Sequence, residues 1–76
     1  MIKAAILGAS GRMGLSIATV LSEEKSIEVV GAVEVSGHSS IGKNLGHLLG
    51  NKGINIEIKD NIGEACDSAD ILIDFT

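Results

Sequence analysis

Between residues 8 and 14 the chain reads Gly-Ala-Ser-Gly-Arg-Met-Gly, with glycines spaced G-x-x-G-x-x-G. Set between a strand and a helix, such a segment does the chemistry of anion binding. Gly8 lets the backbone leave a strand sharply, with positive φ. Gly11, having no Cβ, lets a pyrophosphate approach the main chain, and Gly14 lets the helix lie close on the strand. The N–H groups of the helix's first turn, and the positive end of its dipole, then face the anion. Ser10 has the side chain to cap that helix or to donate its hydroxyl to a phosphate oxygen. Arg12 puts a formal positive charge at the same end. No Gly-Lys-Ser/Thr follows the turn, which excludes a P-loop.

A glycine turn gains meaning from an acid about 20 residues further on. Glu34 stands twenty residues after Gly14, at the end of a valine-rich run. A carboxylate there accepts hydrogen bonds from both hydroxyls of an adenosine ribose and repels a 2′-phosphate. Turn and acid together point to dinucleotide binding. The plainer alternative, a tight turn and a solvated strand end, gives no return for the backbone entropy of three glycines. Other reactive types carry less. His38 and His47 lie nine residues apart and lack the spacing and the third partner of a metal site, so they read as loop residues. Cys66, beside Ala65, reads as a small core residue with no base to activate it. Asp70 and Asp74 flank Ile71-Leu72-Ile73 and read as strand-end residues with capping or loop contacts. Lys43, Lys52 and Lys59 are scattered and form no patch.

The elements that must position turn and acid follow from periodicity. Residues 2–7 form a short apolar run closed by glycine, a buried strand. From Arg12 to about Glu24, Met13, Ile17, Val20 and Leu21 recur at intervals of three and four, with Ala18 beside them, as on one face of a helix. Residues 27–34 (I-E-V-V-G-A-V-E) make a second strand. Residues 35–53 hold five glycines, three serines and both histidines, and read as loop. Within them Ile41, Leu45, Leu48 and Leu49 are spaced for a helical turn or two. Residues 54–59 alternate as a half-buried strand. Asn61, with Glu64 three positions on, caps a short helix to about Ser68, and residues 70–75 form a fourth strand. Strands alternating with helices, apolar enough to be covered on both faces, imply an α/β fold with a parallel sheet and right-handed crossovers. Four strands are little more than half of a doubly wound sheet, and the last would keep an unpaired edge. Residues 1–76 therefore read as one N-terminal, dinucleotide-binding piece of a longer protein.

Composition narrows the partners. The 76 residues hold 6 basic and 10 acidic side chains, a net charge of −4, one phenylalanine and no tryptophan or tyrosine. Nucleic-acid binding wants the opposite, a basic face and stacking platforms. A single cysteine excludes a disulfide framework and a cysteine-based zinc site, and suits a reducing cytoplasm. With 45% hydrophobic residues the chain is no disordered tail. Neither a signal peptide nor a run of roughly 20 apolar residues is present. The expectation is a cytoplasmic protein with no nucleic-acid or membrane partner.

The run from Ile6 through Gly8-Ala9-Ser10-Gly11-Arg12-Met13-Gly14 resembles the opening of the bacterial dihydrodipicolinate reductases, also called 4-hydroxy-tetrahydrodipicolinate reductases, of lysine and diaminopimelate synthesis. Val30-Gly31-Ala32-Val33-Glu34, followed by Gly37-His38-Ser39-Ser40-Ile41-Gly42-Lys43-Asn44-Leu45-Gly46, is similar to the family's next block. Ile73-Asp74-Phe75-Thr76 resembles its fourth-strand ending. The resemblance implies a Rossmann-type N-terminal domain and, beyond it, an α+β domain for substrate and for assembly into a homotetramer. It also implies reduction of 4-hydroxy-tetrahydrodipicolinate to tetrahydrodipicolinate by NADH or NADPH. On this likeness Gly8, Ala9, Ser10, Gly11, Arg12 and Met13 would hold the pyrophosphate and Glu34 the adenosine ribose. Phe75 and Thr76 would lie near the nicotinamide half. Many members have an arginine directly after the acid, where it meets the 2′-phosphate of NADP; this chain has Val35. The expectation is NAD(H) in preference to NADP(H), with Arg12 leaving some NADP(H) binding open. The family's histidine and lysine stretch and its Pro-Ser-Gly-Thr-type loop do not fall in residues 1–76, so no catalytic residue is named. Two alternatives stand beside this reading. One is an N-acetyl-glutamyl-phosphate or aspartate-semialdehyde dehydrogenase, with Gly-Ala-Ser-Gly or Gly-Ala-Thr-Gly turns, against which Arg12-Met13-Gly14 speaks. The other is a non-catalytic nucleotide-sensing or CoA-binding module.

Overall fold

A computed structural model describes residues 1–51 and 53–74. The fourth-strand assignment at Phe75, the nicotinamide role of Phe75 and Thr76, and the reading of Lys52 lie outside the described residues. The described chain runs β1 (Ile2–Leu7), α1 (Arg12–Ser22), β2 (Ile27–Val33), α2 (Leu45–Leu49), β3 (Ile58–Lys59), α3 (Ile62–Cys66) and β4 (Ile71–Asp74). All three strand pairings are parallel, in the order β3-β2-β1-β4. The chain thus starts in the interior of the sheet, moves outward through β2 to β3, and returns to the other side of β1 for β4. The order reverses at β1, and the carboxyl ends of β1 and β4 flank the kind of crevice where open α/β sheets bind ligands. The expected α/β parallel sheet is present.

Alternation along the strands separates two apolar clusters. Ile6, Ala32, Val29 and Ile58 join Ala9, Ala18 and Leu45 in the larger one, with Leu15, Leu21, Ile41, Leu49 and Ile56 packed around it. Leu7 and Val33 point the other way and meet Ala65 of α3. Ile6, Leu45 and Ile58 are the largest side chains that are fully buried.

The face of α1 differs from the sequence expectation. Met13 is 63% exposed and Val20 57%, while Gly14 and Ala18 are the buried positions. The contact stripe runs through Gly14 and Ala18 with Leu15 and Leu21 packed beside them, and at Gly14 the helix lies too close to the turn for any side chain. The helix also ends at Ser22, two residues short of the expected limit.

The third strand is shorter than its alternation suggests. Only Ile58 and Lys59 pair with β2, opposite Ala32 and Val33. The backbone just before them is taken by the preceding loop: Leu45 N–H donates to Ile56 C=O, Ile58 N–H to Lys43 C=O, and Gly42 N–H to Ile58 C=O. Those bonds frame an antiparallel bridge between Asn44 and Glu57 and divert residues 56 and 57 from the sheet. The possible helical turn in the loop is real. It is α2, where Asn44 Oδ1 accepts from Gly46 N–H at 2.8 Å and Gly50 closes the end with φ 69°. At α3, Asn61 Oδ1 accepts from Glu64 N–H at 3.1 Å as expected, but the helix stops at Cys66. Asp70 fastens β4 to β1, its N–H donating to Lys3 C=O and its Oδ2 accepting from Lys3 N–H. Among the described residues no helix is long and apolar enough to cross a membrane.

Candidate functional site

The turn after β1 is tied to the end of β2 by consecutive donors. Gly8, at φ 75°, donates its N–H to Val33 C=O at 2.8 Å, and Ala9 N–H reaches the same oxygen at 3.2 Å. Ser10 comes next, and both its donors go to one oxygen of Glu34: N–H to Oε2 at 2.9 Å and Oγ to Oε2 at 2.5 Å. The N–H of Glu34 donates to Lys59 C=O at 2.9 Å, which fixes the acid from the β3 side. The turn and the acid that sequence spacing singled out are therefore in direct contact.

Ser10 departs from one expectation. Gly11, not Ser10, is the N-cap of α1, and no side chain caps the helix. A hydroxyl has one proton, and that of Ser10 is on Glu34. The first-turn N–H groups of α1 consequently have no side-chain acceptor, as an anion site requires. Arg12 and Met13 are exposed at the same end.

The three glycines have three different causes. Gly8 is needed for its φ. A Cβ on Gly14 would sit 2.1 Å from Gly8 O and 2.8 Å from Ala9 C, so the helix can approach the turn only with glycine there. A Cβ on Gly11 would meet nothing nearer than Gly8 O at 3.6 Å, an ordinary contact, and its φ of −72° suits any residue. Neither packing nor backbone angle demands glycine at this exposed position. The absent Cβ leaves the main chain open at this point, and this is the observation by which the turn fits a dinucleotide.

Glu34 is only 8% exposed. Burial pushes its carboxyl up. The hydroxyl and N–H of Ser10, the nearby His38 and the Val35 N–H outweigh it and hold the group below its ordinary 4.5. The acid is thus kept ionised, as an acceptor for sugar hydroxyls must be.

The remaining candidates lie elsewhere or play structural parts. Cys66 is a partly buried free thiol at the end of α3. His47 lies on α2 and lines a cavity of about 880 Å³ with Lys43, Asn51 and Ile54, away from the turn. Among the described residues no cluster of His, Cys, Asp or Glu is arranged to hold a metal ion. Sequence reading missed Ser40, a buried residue whose Oγ reaches Ser10 Oγ at 2.9 Å. Nothing in its spacing marks it, because the contact exists only once the loop after β2 folds back over the turn.

A switch point, an uncapped glycine turn and a buried acid locked to that turn define a Rossmann-like dinucleotide-binding domain. Residues 2–76 match the family described as dihydrodipicolinate reductase, N-terminus. Among relatives, the chain is 40% identical to the 4-hydroxy-tetrahydrodipicolinate reductase of Geotalea daltonii and 38% to that of Citrifermentans bemidjiense, over 76 residues in both cases. The enzyme of the same name from Syntrophobacter fumaroxidans is 33% identical. Each comparison covers 100% of this chain and 28% of the relative. The chain belongs to the dihydrodipicolinate reductase family and corresponds to its N-terminal part.

Proposed function

We propose that this chain binds the coenzyme of a reductase acting on 4-hydroxy-tetrahydrodipicolinate, with NADH preferred over NADPH. In this reading the turn from Gly8 to Met13 holds the pyrophosphate, and Glu34 accepts the hydroxyls of the adenosine ribose. The pyrophosphate meets the N–H groups of Arg12 and Met13, because those of Gly8, Ala9, Ser10 and Gly11 are already bonded within the protein. Ser10 serves chiefly to orient that acid. The bound dihydronicotinamide supplies the hydride; the chain's own part is to bind, orient and select the coenzyme. The small-molecule substrate, a homotetrameric assembly and a cytoplasmic site of action follow from the family likeness and belong to the same proposal.

The contact of both Ser10 donors with Glu34 Oε2 carries the reading, because it joins the phosphate turn to the ribose acid in one unit. The preference rests on charge. Glu34 is ionised and fixed, while the next residue is an exposed valine with no cation for a 2′-phosphate. Titrating the natural full-length protein with NADH and NADPH, followed by dihydronicotinamide fluorescence, tests both parts. NADH is expected to bind more tightly. Glu34→Gln should weaken NADH by about 1–3 kcal/mol, the usual cost of losing charged hydrogen bonds, and narrow the gap to NADPH. Equal affinities in the unsubstituted protein would remove the preference.

A further inference from the structure

The loop after β2 contributes a buried hydroxyl to which the proposed coenzyme site assigns no role. Ser40 is 5% exposed, and its Oγ lies 2.9 Å from Ser10 Oγ and 2.8 Å from His38 Nδ1. Its backbone N–H also donates to His38 Nδ1 at 3.0 Å. Proton counting sets the direction of the row. Ser10 gives its only hydroxyl proton to Glu34, so Ser10 Oγ has lone pairs alone to offer, and Ser40 must donate to it. His38 holds Ser40 from behind by one bond, since a ring nitrogen that accepts from the Ser40 N–H cannot also donate to its Oγ. The row His38–Ser40–Ser10–Glu34 thus connects the loop, the turn and the strand end.

We infer that Ser40 is a positioning residue for coenzyme binding: by donating to Ser10 Oγ it holds the Ser10 hydroxyl on Glu34 and keeps the carboxylate in a single orientation for the ribose. This rests on the proposed coenzyme site. Without the Ser40 proton, the Ser10 hydroxyl is held by Glu34 alone, and the Ser10 backbone N–H is left as the one fixed donor on Oε2.

The test is a double-mutant cycle on the natural full-length protein, read as the Kd for NADH. Ser40→Ala is expected to raise Kd about three- to tenfold, within the range of coupling between residues in one hydrogen-bond network. In a Glu34→Ala background the same change should alter Kd by less than about 1.5-fold, because there is no carboxylate left to position. A structural loss unrelated to Glu34 would appear equally in both backgrounds. Should Ser40→Ala not fold by circular dichroism, Ser40→Cys, of similar size but a weak donor, is judged by the same criterion. Ser40→Thr, which keeps the hydroxyl, should restore binding. The inference is overturned if Ser40→Ala leaves Kd unchanged while Glu34→Ala raises it, or if the loss is the same with and without Glu34. Failure of the unsubstituted, folded protein to bind either coenzyme is a different result, and it overturns the proposed function together with the inference.

Discussion

The stretch from β1 through Glu34 and the stretch from Val35 to β4 are built by different means. In the first, six- and seven-residue strands pair along their length, and the intervening helix presses small residues onto the sheet. In the second, the helices have five residues and β3 has two. Order there comes from asparagine caps, an αL glycine and backbone bonds between residues 42–45 and 56–58. The first stretch owns the turn and the acid. The second supplies single groups that steady them, the Lys59 carbonyl and the Ser40 hydroxyl. The proposed coenzyme contacts thus sit on the extensively paired half, and the groups proposed to position them sit on the loop-rich half.

The sharpest way to break this contrast is within the turn itself. Gly14→Ala should cost more than about 3 kcal/mol, since the added carbon falls on backbone that cannot move aside. Gly11→Ala should stay within about 1 kcal/mol in stability yet weaken NADH binding. Urea midpoints and coenzyme titrations of the two variants separate them. Next in size, Ile6→Ala and Ile58→Ala should each cost about 2–5 kcal/mol, because both side chains are fully buried in one cluster despite the unequal lengths of their strands. A loss below about 1 kcal/mol for Ile58 would mean that β3 is not part of the common core.

Glu34 gives a pH signature. Its folded value lies below its ordinary 4.5, so its contribution to stability is complete above that pH and disappears as pH falls through the folded value. Thermal midpoints should therefore fall on acidification below about 4.5, and Glu34→Gln should flatten that part of the profile. The smallest effect belongs to the exposed Lys59–Glu64 ion pair at 3.3 Å: Lys59→Ala should change stability by no more than about 0.5 kcal/mol.

The same contrast explains what sequence could reveal. The turn, α1, β2 and Glu34 were legible because each is announced locally, by glycines, by periodicity or by a fixed interval. On α1 the expected Ala18 and Leu21 do meet the core, while hydrophobicity points wrongly to the exposed Met13 and Val20 and passes over Gly14. Residues 54–57 alternate like a strand, but Leu45 takes the Ile56 carbonyl and Asn44 bridges to Glu57, so this stretch meets the preceding loop rather than the sheet. The role of Ser10 as donor to Glu34, and all of Ser40, depend on residues 24 and 30 positions apart meeting in space. No local pattern encodes those meetings.

Both Ser10 donors on one carboxylate oxygen bear also on the thermodynamics of recognition. A free glutamate samples many rotamers, and ordering such a side chain during association costs about 0.5–1.5 kcal/mol. In this molecule that ordering is already complete when the chain has folded, so the entropic penalty falls on folding. A ribose at the proposed site would meet an acceptor already held by two donors, and its affinity would be correspondingly less eroded by disorder in the unliganded protein.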